Sequence, residues 1–365
     1  MENIPISMPY IGEKEKEYVL KALESGWVSS IGEYIDTFEK KFAKYCDTKF
    51  ALTTSNGTTA LHLALAAFGI SSGDEVIVPD FTFVATANAV KYTGANVVFA
   101  DIDKDSLCIC VDGIKKLITK KTKAIIPVHI YGHPANMDEI NNIAKENNLI
   151  VIEDAAEAHG AEWNGKKVGG LGDVGIFSFY GNKIITSGEG GMITTNDENI
   201  YNRLKFLRDH AMSKEKRYWH TDIGFNYRMT NIQAALGLAQ LESIDKFIDK
   251  KRLIFKWYKD ELSGIKNIRL NYEHPLARNV YWMVCLELKD YSEEKRTEFM
   301  QRIKELGIDS RPYFYPISDM PMYSGVNCDT KITRMIYKTG VNLPSYYTIT
   351  QEQVKYICRT IRNAL

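Results

Sequence analysis

The sequence has no excess charge of either sign: Lys+Arg and Asp+Glu each number 46 among 365 residues. Without a basic surplus there is no general electrostatic attraction for nucleic acid. A small-molecule partner, held by charge arranged inside a cleft, is expected instead. Cysteine is sparse, with six residues at Cys46, Cys108, Cys110, Cys285, Cys328 and Cys358, and no CxxC spacing. Cys108 and Cys110 lie close together, but two thiols do not complete a zinc or iron–sulfur site, so no metal is expected. Free thiols in a reducing cytoplasm fit this usage. The opening stretch MENIPISMPYIGEKEKEYV lacks a basic segment followed by an apolar run, so no secretory leader is expected. Apolar runs are strand-sized, well short of the ~20 residues that cross a membrane. Tandem repeats, low-complexity tracts and Pro/Gly/Ser linkers are also missing. A soluble, cytoplasmic protein is expected.

What is present is an ordinary globular balance, 45% hydrophobic and 25% charged, in a chain long enough for two domains. Short apolar segments at 50–52, 75–78, 97–100, 124–128, 149–153, 174–177 and 192–194 predict strands. Helical periodicity at 58–68, 84–92, 112–118 and 137–146 falls between several of them. Such alternation, with strands apolar on both faces, predicts an α/β fold with a mostly parallel sheet covered by helices. A long helical pattern over 231–262 leads out of this unit. Beyond it, a strand-like stretch at 280–288 and helices at 292–306 and 350–361 predict a smaller α+β domain. The expected division is residues 1–250 and 251–365.

In a parallel sheet ligands sit beyond the carboxyl ends of the strands. After 50–52 comes Thr53-Thr54-Ser55-Asn56-Gly57-Thr58-Thr59 and an apolar helix. Thr58 is placed to cap that helix, and the helix end is either an ordinary capped turn or an anion site. After 75–78 comes Pro79-Asp80-Phe81-Thr82-Phe83, where an aromatic ring either packs in the core or faces a flat ligand. After 149–152 come Glu153, Asp154 and Glu157; Asp154 either caps the next helix or holds a cation in the cleft. After 174–177 comes Ser178-Phe179-Tyr180-Gly181-Asn182-Lys183. Lys183 is either a solvated lysine or an amine whose pKa is depressed by a water-poor site. Together the four describe what pyridoxal 5′-phosphate (PLP) requires: a lysine for its aldehyde, a carboxylate for its ring nitrogen, a helix end for its phosphate and an apolar face over its ring. Gly169-Gly170-Leu171-Gly172 lacks the dinucleotide G-x-G-x-x-G form and reads as a plain turn.

The stretches GWVSSIGEYIDTFEKKFA, SNGTTALHLAL, GDEVIVPDFTFVATANAV, VIEDAAEAHGA, FSFYGNKIITSGEGGMI and GFNYRMTNIQAALGLAQLE run in order along nearly the whole chain. With them the chain resembles the DegT/DnrJ/EryC1/StrS family of PLP-dependent sugar aminotransferases. YWHTDIGFNYRMTN and RPYFYPISDMPMYS resemble most its perosamine-forming branch. The resemblance implies an aspartate aminotransferase-type (PLP fold type I) large domain. It implies that Lys183 takes the cofactor's aldehyde and moves a proton, and that Asp154 pairs with the ring nitrogen. Gly57, Thr58 and Ser178 would hold the phosphate and Phe83 would lie on the ring. Asn226 would reach the phosphate of a second copy's cofactor, which implies a homodimer with shared sites; a tetramer stays open. Many members have Gln where this chain has Glu157, near the cofactor's phenolic oxygen, and the perosamine branch has Glu.

The implied reaction moves the amino group of L-glutamate, through the pyridoxamine form, to C4 of a nucleotide-linked 4-keto-6-deoxy sugar. Tyr218, Trp219, His220, Arg228, Arg311 and Tyr315 are substrate-site candidates by their cations, hydroxyls and rings. His220 reads equally as a structural histidine and Arg228 as an interface ion pair. GDP is expected as the nucleotide, with UDP or dTDP and a viosamine-type product as alternatives. Two other classes weigh less. Sugar dehydratases of this fold replace the lysine by histidine or carry a cysteine-ligated cluster, neither of which matches Lys183 and the scattered cysteines. A non-catalytic binding or regulatory protein would not need the whole set.

Overall fold

A computed structural model describes residues 3–365. Seven strands build the main sheet: β1 (Phe50–Thr54), β2 (Glu75–Pro79), β3 (Asn96–Ala100), β4 (Thr122–Ile125), β5 (Ile150–Asp154), β6 (Val174–Ser178) and β7 (Gly191–Thr195). Their order is β1-β7-β6-β5-β4-β2-β3. All neighbours are parallel except β7, which runs antiparallel to both β1 and β6. Every residue of β6 and β7 is buried, so the sheet must be covered on both faces. This is the mostly parallel α/β sheet expected, with strand limits displaced by one to three residues. The expected strand at 124–128 is two residues early, at Thr122–Ile125, while Ile126 still donates its N–H to Ile77 O at 2.8 Å.

Helices Gly57–Ala67, Ala85–Tyr92 and Met137–Asn147 connect the strands. Two N-terminal helices, Glu13–Glu24 and Glu33–Tyr45, lie against Asn231–Leu241. The contact is close: a Cβ on Gly237 would come within 2.7 Å of the Phe38 ring. The single helix expected over 231–262 is instead two, Asn231–Leu241 and Ile244–Glu261. The apolar spacing continues across Glu242–Ser243, so periodicity alone does not mark the turn.

The helix Ile244–Glu261 contributes Phe247 and Ile248 to the core of the main sheet, and Ile254, Phe255 and Tyr258 to a second core. Residue 250, the expected domain division, lies inside this helix. The second core lies on an antiparallel sheet ordered Ile268–Leu270, Val284–Leu288, Gly340–Leu343, Arg311–Pro312. Helices Glu293–Glu305 and Gln351–Ala364 belong to the same region. Among the described residues no helix is long and apolar enough to cross a membrane.

At the end of β5, neighbouring carboxylates point to opposite sides of the sheet, as strand alternation requires. Glu153 is fully buried and accepts hydrogen bonds from the N–H groups of Gly169 (2.8 Å), Leu171 (2.7 Å) and Gly172 (2.7 Å). It also takes His129 Nε2 at 3.0 Å. Ala135 N donates to His129 Nδ1, which makes Nε2 the protonated nitrogen of a neutral ring. The glycine turn at 169–172 is therefore wrapped around Glu153. Asp154 faces the other way, into the site.

Candidate active site

Lys183 follows β6 in a turn where its N–H bonds Tyr180 O at 3.0 Å. Its side chain is 11% exposed, with Nζ 4.0 Å from Glu157 Oε1 and 4.1 Å from the centroid of the Trp282 ring. Burial lowers the pKa of the amine, while Glu157 and Asp154 pull the other way. An amine that gives up its proton more readily is a better nucleophile near neutral pH.

Asp154 is 5% exposed. Its Oδ2 accepts from Thr86 Oγ1 at 2.8 Å and its Oδ1 from Ala156 N at 3.2 Å. The expected alternative of a helix cap does not arise, because no helix follows β5 directly. Burial raises the carboxyl's pKa, opposed first by the Thr86 hydroxyl. No Lys, Arg or His among the described residues forms an ion pair with it. A buried carboxylate with no direct ion pair is a costly arrangement that a cationic ring nitrogen would relieve.

Glu157 Oε2 accepts from Tyr131 N at 2.8 Å. Burial pushes its carboxyl up to about 7, against the opposing effects of Lys183 and the Tyr131 N–H. Because the folded-state value lies above the ordinary 4.5, the folded protein binds the extra proton, and stability falls as pH rises from about 4.5 to about 7. Glu157→Gln removes that titration. In cofactor-free protein the variant should match the parent near pH 4. It should be more stable at pH 8 by up to about 3 kcal/mol, at 1.36 kcal/mol per pKa unit. Urea unfolding at the two pH values measures this; a gain confined to the acid side would reverse the assignment.

At the start of the helix Gly57–Ala67, Asn56 and not Thr58 is the cap, a correction to the expectation. Asn56 is extended (φ −168°, ψ 172°), and its side chain accepts from Thr59 N at 2.9 Å. Thr58 is already the second helical residue, which leaves its hydroxyl uncommitted to capping. The N–H groups of Gly57 and Thr58 lie at the open, positive end of the helix. A Cβ on Gly57 would lie 3.0 Å from Ser178 Cβ, so the helix end presses directly on the end of β6. Ser178 is 9% exposed, and its Oγ accepts from Tyr180 N at 3.3 Å.

Of the two phenylalanines after β2, Phe81 is fully buried, whereas Phe83 is 57% exposed and tilted against Phe314 at 6.3 Å. Phe83 is thus the ring free to face a flat ligand. The set fits pyridoxal phosphate in its donor chemistry: an amine, an uncompensated carboxylate, a helix end beside a hydroxyl, and an open aromatic face.

The other candidates make their contacts with other groups. Asn226 is exposed and its Oδ1 accepts from Arg228 Nε at 3.0 Å, with Arg228 paired to Asp209 at 2.8 Å. Tyr227 O accepts from Ser55 N at 2.8 Å, which brings this segment beside the strand–helix turn. Tyr218 (75% exposed, φ 63°) and Trp219 project from the same excursion, where His220 Nδ1 bonds His210 O at 2.8 Å. Arg311 pairs with Asp309 at 2.6 Å, and the ring of Tyr315 is 5.6 Å from that of Tyr337.

Sequence reading missed Trp282, Tyr131 and Thr86, which surround Lys183, Glu157 and Asp154. It also missed His159, buried between the Phe177 and Phe179 rings with its pKa pressed down to about 3 by burial. Thr86 was findable, three residues after Phe83 and second in the helix Ala85–Tyr92. Trp282 was not, since it arrives from a segment about 100 residues away in sequence.

A profile of the DegT/DnrJ/EryC1/StrS aminotransferase family matches residues 9–362. The chain is 47% identical over 361 residues to GDP-perosamine synthase of Escherichia coli O157:H7, covering 99% of this chain and 98% of that one. It is 44% identical over 368 residues to GDP-perosamine synthase of Caulobacter vibrioides, covering 100% and 99%. Among solved structures it is similar to Spr1654 from Streptococcus pneumoniae in its PMP-form, with TM-score 0.94, 26% identity and coverage of 99% and 97%.

Proposed function

Because the chain belongs to the DegT/DnrJ/EryC1/StrS aminotransferase family, we propose that it moves the amino group of L-glutamate to C4 of a GDP-linked 4-keto-6-deoxy sugar, with pyridoxal phosphate as cofactor. The observation that carries the chemistry is the Lys183 amine, buried beside the Glu157 and Asp154 carboxylates at the carboxyl end of the sheet. The two full-length relatives named GDP-perosamine synthase support GDP as the nucleotide.

Bound pyridoxal phosphate supplies an aldehyde that exchanges amino groups and a protonated ring that withdraws electrons from the reacting carbon. The chain's residues serve that chemistry in separate ways. Lys183 Nζ anchors the cofactor and, once released, carries a proton on and off the reacting carbon. Asp154 Oδ keeps the proton on the ring nitrogen, and Thr86 keeps Asp154 oriented. Glu157, fixed by the Tyr131 N–H, would face the cofactor's phenolic oxygen. The N–H groups of Gly57 and Thr58 and the hydroxyl of Ser178 receive the phosphate. Phe83 would cover the ring and exclude water from that side. In a homodimer, Asn226 of a second copy adds a further donor to the phosphate. Tyr218, His220, Arg228, Arg311 and Tyr315 are assigned to the sugar nucleotide, where arginine suits a diphosphate.

Purified protein supplied with glutamate and, in turn, GDP-, UDP- and dTDP-linked 4-keto-6-deoxy sugars tests the substrate. Amination should be fastest with the GDP sugar. Preference for UDP or dTDP would replace the nucleotide in this reading with the viosamine-type alternative; amination of none would overturn the transfer itself.

A further inference from the structure

Lys251 lies on the helix Ile244–Glu261 and is 7% exposed, with no carboxylate paired to it among the described residues. Its Nζ donates to Trp282 O at 2.9 Å, Ser345 O at 2.6 Å and Ser345 Oγ at 3.3 Å. Burying an amine this way is costly unless fixed acceptors meet its donors, and here they are main-chain carbonyls. Burial pulls its pKa down to about 7.

One of those carbonyls belongs to the residue whose ring lies against Lys183. Trp282 is held from three directions. Its carbonyl is taken by Lys251. Its indole Nε1 donates to Asn182 O at 2.8 Å, the residue before Lys183. Its main-chain nitrogen lies over Gly132, where φ is +98° and a Cβ would come within 2.8 Å. Both lysines line one small pocket together with Asn182, Phe247 and Tyr347. Hydrogen bonds at both its carbonyl and its indole fix the tryptophan beside them.

We propose that Lys251 is a positioning residue for Lys183, acting through the main chain of Trp282 to keep the indole face against the reactive amine. The ring face stabilises the ammonium form of Lys183. It therefore opposes burial in the same sense as Glu157 and Asp154, while the buried His159, its pKa pressed down to about 3, brings no charge. The carbonyls of Trp282 and Ser345 accept from Lys251 Nζ in either of its protonation states. Loss of a positive charge at Lys251 would raise the Lys183 pKa, so a fall on its removal reports the displaced ring. The inference rests on Lys183 being the reactive amine, but its test needs no cofactor and so is independent of that reading.

The experiment is trace acetylation of the cofactor-free full-length chain across neutral to alkaline pH. The rate at residue 183, followed by peptide mass spectrometry, gives the pKa of its amine. Lys251→Met should lower that pKa by about half a unit or more, the scale of a lost cation–π contact. Lys251→Arg, which retains donors for both carbonyls, should restore it. In a Trp282→Leu background Lys251→Met should add no further shift, since both act through one contact. A folded Lys251→Met protein with an unchanged or raised Lys183 pKa overturns the proposal. So does a shift of full size when Trp282 is already leucine. If the methionine variant does not fold, Lys251→Gln should give a smaller shift in the same direction, and no shift overturns the proposal equally. A purely structural role for Lys251 would lower stability without moving the Lys183 pKa.

Discussion

Lys183→Ala should lower glutamate-dependent amination by about 10⁴-fold, the upper range for loss of a positioned general acid–base group. It should also abolish covalent capture of the cofactor on borohydride treatment, read by peptide mapping. Both losses follow from one side chain. No other lysine or arginine is ion-paired with Glu157 among the described residues, and Lys251, which lines the same pocket, is held by the Trp282 and Ser345 carbonyls. The variant should remain folded, because it removes a buried cation whose burial was unfavourable. A label found on another residue, or amination within a few-fold of the parent, would end the assignment of Lys183 as the cofactor-bearing amine.

Asp154→Asn should reduce the glutamate half-reaction on the order of 10²–10³-fold, the scale for losing one preorganised electrostatic group. The amide can still meet Thr86 Oγ1 and Ala156 N, so the local geometry should survive. What it loses is the negative charge proposed to face the ring nitrogen. Thermal stability of the cofactor-free variant should equal or exceed that of the parent, since an uncompensated buried carboxylate has been removed. Stopped-flow absorbance after mixing with glutamate measures the rate. A half-reaction at parental speed would show that Asp154 does not face the ring.

That Asp154 and Lys183 stand at the carboxyl end of the sheet was legible because short apolar runs locate strand ends, where topology opens the cleft. The phosphate roles assigned to Ser178 and Gly57 came from the family resemblance and not from strand ends. Thr58 was misread as a cap because Asn56 and Thr59 offer equivalent side chains two and one positions away, and only backbone geometry decides among them. The turn at Glu242–Ser243 left no mark because Leu238, Leu241, Ile244 and Ile248 continue one apolar stripe through it. Trp282 was beyond reach for another reason. Its approach to Lys183 depends on how the segment after residue 279 lies over Gly132, a packing relation that sequence spacing does not encode.

The two acidic residues closing β5 have a consequence for how this enzyme can vary. They are chemically near-equivalent and consecutive, yet one holds a turn and the other faces the candidate site. A frame slip of a single position along Ile150–Asp154 would present the longer acid to the cleft and leave three amide protons of the 169–172 loop without an acceptor. The loop's demand for Glu153 thus acts as a ratchet on strand phase, and insertions or deletions within the strand should be lethal to the fold before they reach the chemistry.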